Sequence, residues 1–157
     1  MENRLSIEEQ LKKEGFFVST TAGYSMWPML RNRRDRVIIR AYAENETPKI
    51  NDLALYHRSD GKYVLHRILW VKPTHCIARG DNTFFLEKVK YKTILGRVTE
   101  FYRNDKHHTT DSFLYRLYVW AWRILFPARF VCHACKMIFH KLLSRAKRLV
   151  KKIIKKK

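Results

Sequence analysis

The sequence predicts a mainly β fold: one antiparallel, barrel-like domain followed by C-terminal amphipathic helices. Two observations carry this. Short runs of β-branched and aromatic residues, separated by turn residues, recur from residue 16 to 103. Beyond residue 112 the apolar period becomes helical, and acidic residues cease.

Residues 1–15 hold a short helix. Ser6 caps it, Glu9 completes a capping box three residues on, and Gly15 ends it. Phe16 to Thr21 is the first strand and Arg36 to Arg40 the second. Pro48 marks a polar loop over Asn45 to Lys49. Leu53 to His57 and Lys62 to Val71 form a hairpin about Ser59-Asp60-Gly61. Lys72-Pro73 turns the chain into His75 to Arg79, and Gly80-Asp81-Asn82-Thr83 is a further turn. Ile94 to Tyr102 is the last strand, with Gly96 placed to form a bulge. Residues 16–103 are therefore the β-rich domain, 104–112 a polar linker, and 113–157 an aromatic, basic helical tail.

With 157 residues, 46% of them hydrophobic, the chain suits one domain with a real core and excludes a disordered protein. Its net charge is +19, unevenly spread: Ser112 to Lys157 contains thirteen Lys and Arg and no acid. Such a block calls for a polyanionic partner. Three cysteines, Cys76, Cys132 and Cys135, make no closed disulfide set and fit free thiols. Residues 1–24 lack an apolar leader, and Phe113 to Val131 is too interrupted by Arg and Pro to read as a membrane span.

Four residues are candidates for chemistry. Ser25 follows a strand in a turn fixed by Pro28; a serine hydroxyl becomes nucleophilic when a neighbouring base takes its proton. His66 alternates with Val64 and Ile68 on one strand face and has the pKa range of such a base. Asp81, in its turn, and Glu87, after Phe84-Phe85-Leu86, are the carboxylates able to orient the imidazole. Taken singly, each also fits an ordinary loop, core or surface residue. Cys132-His133-Ala134-Cys135 is a single pair without the second pair that structural zinc needs, so no metal or cofactor is expected.

The order of these residues and their surroundings resembles the signal peptidase I group of serine peptidases. Ser25-Met26-Trp27-Pro28-Met29-Leu30 is similar to the family's nucleophile box. Asp35 to Ile39, Asp52 to Tyr56, Val64-Leu65-His66-Arg67-Ile68, Arg79-Gly80-Asp81-Asn82 and Ile94 to Val98 follow in the family's order, covering residues 18–103. Histidine at 66, where most bacterial members carry lysine, resembles the endoplasmic-reticulum, archaeal and spore-former branch. The resemblance implies a barrel-like peptidase domain, Ser25 as nucleophile and His66 as general base. The acid is Glu87 by spacing or Asp81 by motif; the short, turn-fixed Asp81 is the better pre-organised of the two. Gly23 stands where the family often has a serine that donates to the oxyanion, and the usual membrane anchor ahead of the Ser box is missing from residues 1–24.

The expected function is a serine endopeptidase that cleaves signal or leader peptides. The partners are a preprotein and, through the tail, an anionic membrane surface, with peripheral attachment on the cytoplasmic face. Leu142, Leu143, Ala146, Leu149, Val150, Ile153 and Ile154 make the apolar stripe of that tail, opposite Lys141, Arg145, Arg148, Lys152 and Lys155. Nucleic acid ranks below the membrane, because no binding motif accompanies the charge. The alternative is a weak or inactive peptidase-fold protein that acts as a membrane- or nucleic-acid-binding module. Self-cleaving repressors share the Ser box, but they use a lysine base and a DNA-binding domain.

Overall fold

The computed structural model describes residues 6–154, without the side chains at 140, 142 and 145–154. The chain divides into two compact units, Met1–Val119 and Trp120–Lys157.

The first unit opens with helix α1 (Ile7–Glu14). Its capping box closes in both directions: Glu9 N–H donates to Ser6 Oγ at 3.2 Å, and Ser6 N–H donates to Glu9 Oε2 at 2.8 Å. Gly15, at φ 74°, ends the helix by donating its N–H to the Leu11 carbonyl at 3.0 Å. Strands β1 (Phe16–Thr20), β2 (Arg36–Arg40), β3 (Leu53–His57), β4 (Tyr63–Val71), β5 (His75–Arg79), β6 (Glu87–Lys90), β7 (Ile94–Arg103) and β8 (Lys106–Thr109) follow. All their pairings are antiparallel, in the order β1-β2-β7-β3-β4-β5-β6, with β8 also on β7.

β7 is the hub. One edge carries β2; the other carries β3 along Ile94 to Arg97 and β8 along Glu100 to Arg103. The register slips twice on β7, so that Leu95 and Thr99 are the extra residues. Gly96, expected to be a bulge, lies between the two. Its own requirement is close approach, because a Cβ there would strike the Arg40 backbone carbonyl.

The expected barrel is not closed. β1 and β6 end the sheet path without pairing to each other. Phe17 and Ser19 of β1 and Glu87 of β6 instead line one cavity, which occupies the seam where closure would require hydrogen bonds. With three helices present, the fold is mixed α/β rather than mainly β: an eight-stranded antiparallel sheet followed by two C-terminal helices. Residues 104–112, expected as a linker, contain β8. The turn at Asn104 and Asp105, both at positive φ, folds the polar segment back onto β7. Glu87–Lys90, outside the expected strands, is also a strand.

Helix α2 (Phe113–Ile124) begins inside the first unit, and the Ser112 hydroxyl accepts from Tyr115 N–H at 3.3 Å. Val119 is buried, while Tyr115 and Tyr118 pack on the main core formed by Met29, Leu30, Val37, Ile39, Leu53 and their neighbours. The division between the two units lies after Val119.

The second unit contains the end of α2 and helix α3 (Phe126–Ile154). Pro127 sits in the first turn of α3, where its missing N–H costs nothing. The Arg129 guanidinium lies 3.7 Å from the centre of the Trp122 ring. Trp120, Ile138 and Phe139 are exposed. No described helix is long and apolar enough to cross a membrane. Most of the stripe from Leu142 to Ile154 falls on side chains outside those described.

A chain ending at Asp111 loses the Val119, Tyr115 and Tyr118 contacts, whereas one ending at Ile124 keeps them. At roughly 1.5–3 kcal/mol per fully buried large side chain, the shorter chain should melt about 10 °C or more below the longer one in a thermal unfolding scan.

Candidate active site

Ser25 lies on the irregular segment between β1 and β2, and buried side chains anchor that segment. Met26, Met29 and Leu30 enter the core, and the Trp27–Pro28 peptide bond is cis. The fully buried Asp35 closes the loop by accepting from Arg31 N–H at 2.8 Å. Thr21 N–H donates to the Asp35 carbonyl at 3.0 Å. Gly23, at φ 91°, donates its N–H to Asn32 Oδ1 at 2.9 Å. Among the described residues, neither the Ser25 N–H nor its hydroxyl has a hydrogen-bond partner.

A second turn presses against this loop. Asn82 donates its N–H to the Ser25 carbonyl at 2.7 Å and its side-chain amide to the Tyr24 carbonyl at 3.2 Å. The approach is close enough to exclude any side chain at Gly80. A Cβ there would lie 2.6 Å from the Ser25 carbonyl oxygen, and 3.0 Å from both Ser25 Cβ and His66 Nε2. Ser25 Cβ and His66 Nε2 are therefore no farther apart than twice that distance. A serine hydroxyl extends from Cβ, so this separation lets the hydroxyl turn toward the imidazole.

His66 is buried on β4, paired with Ala54 of β3. Its Nδ1 lies 3.1 Å from the Tyr56 hydroxyl and 3.8 Å from Glu87 Oε1. Tyr56 donates to Glu87 Oε2 at 2.5 Å, and Arg58 Nη1 lies 3.3 Å from Glu87 Oε1. Burial lowers the His66 pKa below its ordinary value near 6.5; the Glu87 charge opposes the shift, Arg58 adds to it, and Asp81 opposes it. The imidazole is accordingly neutral at neutral pH, the state of a proton acceptor.

The two candidate carboxylates separate. Asp81 lies in the fork of Arg67, accepting from Nε at 2.8 Å and Nη2 at 2.7 Å. Tyr118 also donates to it, at 3.1 Å. Arg67 further donates to the Asn51 carbonyl and the Tyr115 hydroxyl. Glu87 is the carboxylate on the Nδ1 side of His66. The turn that makes Asp81 well pre-organised aims it at Arg67, and spacing rather than motif identity singles out the acid beside the histidine.

Tyr56, Arg67 and Tyr118 were not among the sequence candidates. Tyr56 had a signal: β3 is buried along Leu53 to Tyr56, and a buried phenol needs a hydrogen-bond partner. In the β3–β4 register Tyr56 faces Val64, which sets it diagonally beside His66 on one sheet face. Tyr118, 37 residues from Asp81 in sequence, had none.

Ser25, His66 and Glu87 border a cavity of about 480 Å³, together with Phe17, Met26 and Leu55. Its size and largely apolar wall suit an organic ligand. Among the described residues no group of His, Cys, Asp or Glu is arranged to hold a metal ion, and Cys132 and Cys135 are exposed on α3.

Two substitutions separate the scaffold from the chemistry. Asp81→Asn removes the anion facing a buried guanidinium and should cost about 3–5 kcal/mol in denaturant unfolding. Gly80→Ala forces a methyl group against the Ser25 carbonyl and should cost about 1–3 kcal/mol, with displacement of the Ser25 loop seen in a crystal structure of the variant.

Compared with protein-family models, curated proteins and solved structures, the chain gives no match in any of the three.

Proposed function

We propose that the protein is a serine endopeptidase of the signal-peptidase kind, cleaving signal or leader peptides, with Ser25 as nucleophile and His66 as general base. The observation that carries this reading is the convergence of Ser25 Cβ and His66 Nε2 on one point above Gly80, beside an apolar cavity. In acylation, Ser25 Oγ attacks the scissile carbonyl carbon while its proton passes to His66 Nε2. The carbonyl oxygen becomes an oxyanion to which the Ser25 N–H can donate a hydrogen bond. Collapse breaks the C–N bond, and the departing amine takes the proton from Nε2. Water then attacks the acyl-enzyme, with His66 again as base, releasing the acid and restoring Ser25.

The substrate site follows from the open seam. Among the described residues β1 pairs on one side only, and Ser19, Thr20 and Thr21 line the cavity with Ser25. An extended peptide can add to such an edge through main-chain hydrogen bonds while its side chains enter the apolar pocket. Gly23 favours a second reading: with no side-chain donor beside Ser25, the fold serves as a slow or inactive peptidase that binds membrane or nucleic acid.

Ser25→Ala and His66→Ala should each abolish cleavage of leader peptides, and Ser25→Ala should leave the melting curve nearly unchanged. A fluorophosphonate that labels wild type but not Ser25→Ala supports the enzyme; no labelling of either overturns it. Because the His66 pKa is lowered, kcat/KM should fall on the acid side only below pH 6.5. The Glu87 charge raises the His66 pKa, so Glu87→Gln should move that acid limb to still lower pH.

The tail supports a membrane partner. Its cations lack any acid, and Phe113, Leu114, Trp120 and Phe139 are exposed beside them. Each Lys or Arg near an anionic surface contributes about 1 kcal/mol. The protein should sediment with anionic but not neutral vesicles, and 1 M salt should release it. Salt-sensitive binding to RNA or DNA, with none to anionic vesicles, would favour nucleic acid.

A further inference from the structure

We propose that Tyr56 is a positioning residue that fixes the His66 tautomer, holding a proton on Nδ1 and leaving Nε2 bare toward Ser25. The inference rests on the peptidase reading of Ser25 and His66 and adds the group that makes His66 a base.

A phenol has one proton to donate. Tyr56 gives it to Glu87 Oε2 across 2.5 Å, a carboxylate that can only accept. The phenol oxygen is then left as an acceptor, 3.1 Å from His66 Nδ1. The contact is a hydrogen bond only if Nδ1 carries the hydrogen. In the neutral ring Nε2 is then the lone-pair nitrogen, on the side where the ring meets Gly80 and Ser25. Glu87 does not fix this by itself, since its 3.8 Å separation from Nδ1 exceeds hydrogen-bond length. Burial, followed by the bond to Glu87 and its charge, raises the Tyr56 pKa, so the phenol keeps its proton across the working range.

The histidine side chain free in water prefers the opposite tautomer, with the hydrogen on Nε2. Left to that preference, His66 would present a donor to the Ser25 hydroxyl and remove no proton from it. The relay runs Glu87, Tyr56, His66. When Nε2 takes the serine proton, the imidazolium keeps its Nδ1–H on the phenol oxygen, which the carboxylate polarises. The charged groups acting on this ring are Glu87 from β6, Arg58 beyond β3 and Asp81 from the turn after β5.

The test uses full-length protein with ¹⁵N-labelled histidine, observed by NMR above the His66 titration. Wild type should show a protonated Nδ1 and a pyridine-like Nε2 at His66. Tyr56→Phe, which keeps the ring and its packing, should reverse the pattern and lower kcat/KM by roughly 10²- to 10⁴-fold. Glu87→Gln should keep the wild-type tautomer, because the amide oxygen still accepts from Tyr56. A wild-type His66 protonated on Nε2, or a Tyr56→Phe variant that keeps Nδ1–H, overturns the proposal. The wild-type spectrum decides even if the variant fails to fold. Fluorophosphonate labelling of Ser25 tests the peptidase reading separately, since the NMR result does not depend on turnover.

Discussion

The buried pair of Arg67 and Asp81 holds the molecule's parts in register. Both side chains are almost entirely removed from solvent, where an unpaired charge would cost several kcal/mol. Asp81 receives two hydrogen bonds from the guanidinium fork, and Arg67 donates also to Asn51 and Tyr115. Through this one network β4 reaches α2 by way of Tyr115 and Tyr118, and the Gly80 to Asn82 turn by way of Asp81. That turn in turn grips the Ser25 loop through Asn82. His66 and Arg67 are consecutive on a strand, so pleating sends them to opposite faces: a neutral imidazole on one side, a paired cation on the other.

The open seam follows from what borders it. Closing β1 onto β6 would place main-chain hydrogen bonds where the cavity now lies, beside Glu87. An edge strand left open is ordinarily a hazard for aggregation. Here β1 is short, and the loop that carries Ser25 leads directly from its end. The same unpaired backbone that invites aggregation is the kind to which an added peptide strand can pair.

Local chemistry was legible in the sequence, and long-range partnership was not. The Ser6–Glu9 box and the Gly15 cap act within one turn of chain, and the structure has them as read. The hairpin at Gly61, at φ 81°, is of the same kind. Sheet closure was not legible, since it depends on two strands some 70 residues apart in sequence. β8 was hidden because Lys106 to Thr109 is polar on both faces and pairs at an edge. Which of Asp81 and Glu87 lies beside His66 turned on Arg67, an arginine visible in its motif but with no sign of which acid it would claim. Tyr118 shows the same limit: an aromatic residue in a stretch expected to be helical says nothing of a distant carboxylate.

The position of β7 between β2 and β3 also dictates an order of assembly. β1 with β2, and β3 through β6, are runs of near neighbours that can pair as the chain emerges during synthesis. Neither can join the other until Ile94–Arg103 arrives to separate and bond both. Until then, β2 and β3 each expose an edge with no partner. The last strands made are thus the ones that convert two separate pieces of sheet into one. The basic tail follows only after that union has become possible, so a strongly cationic segment appears on a chain whose sheet is already able to form.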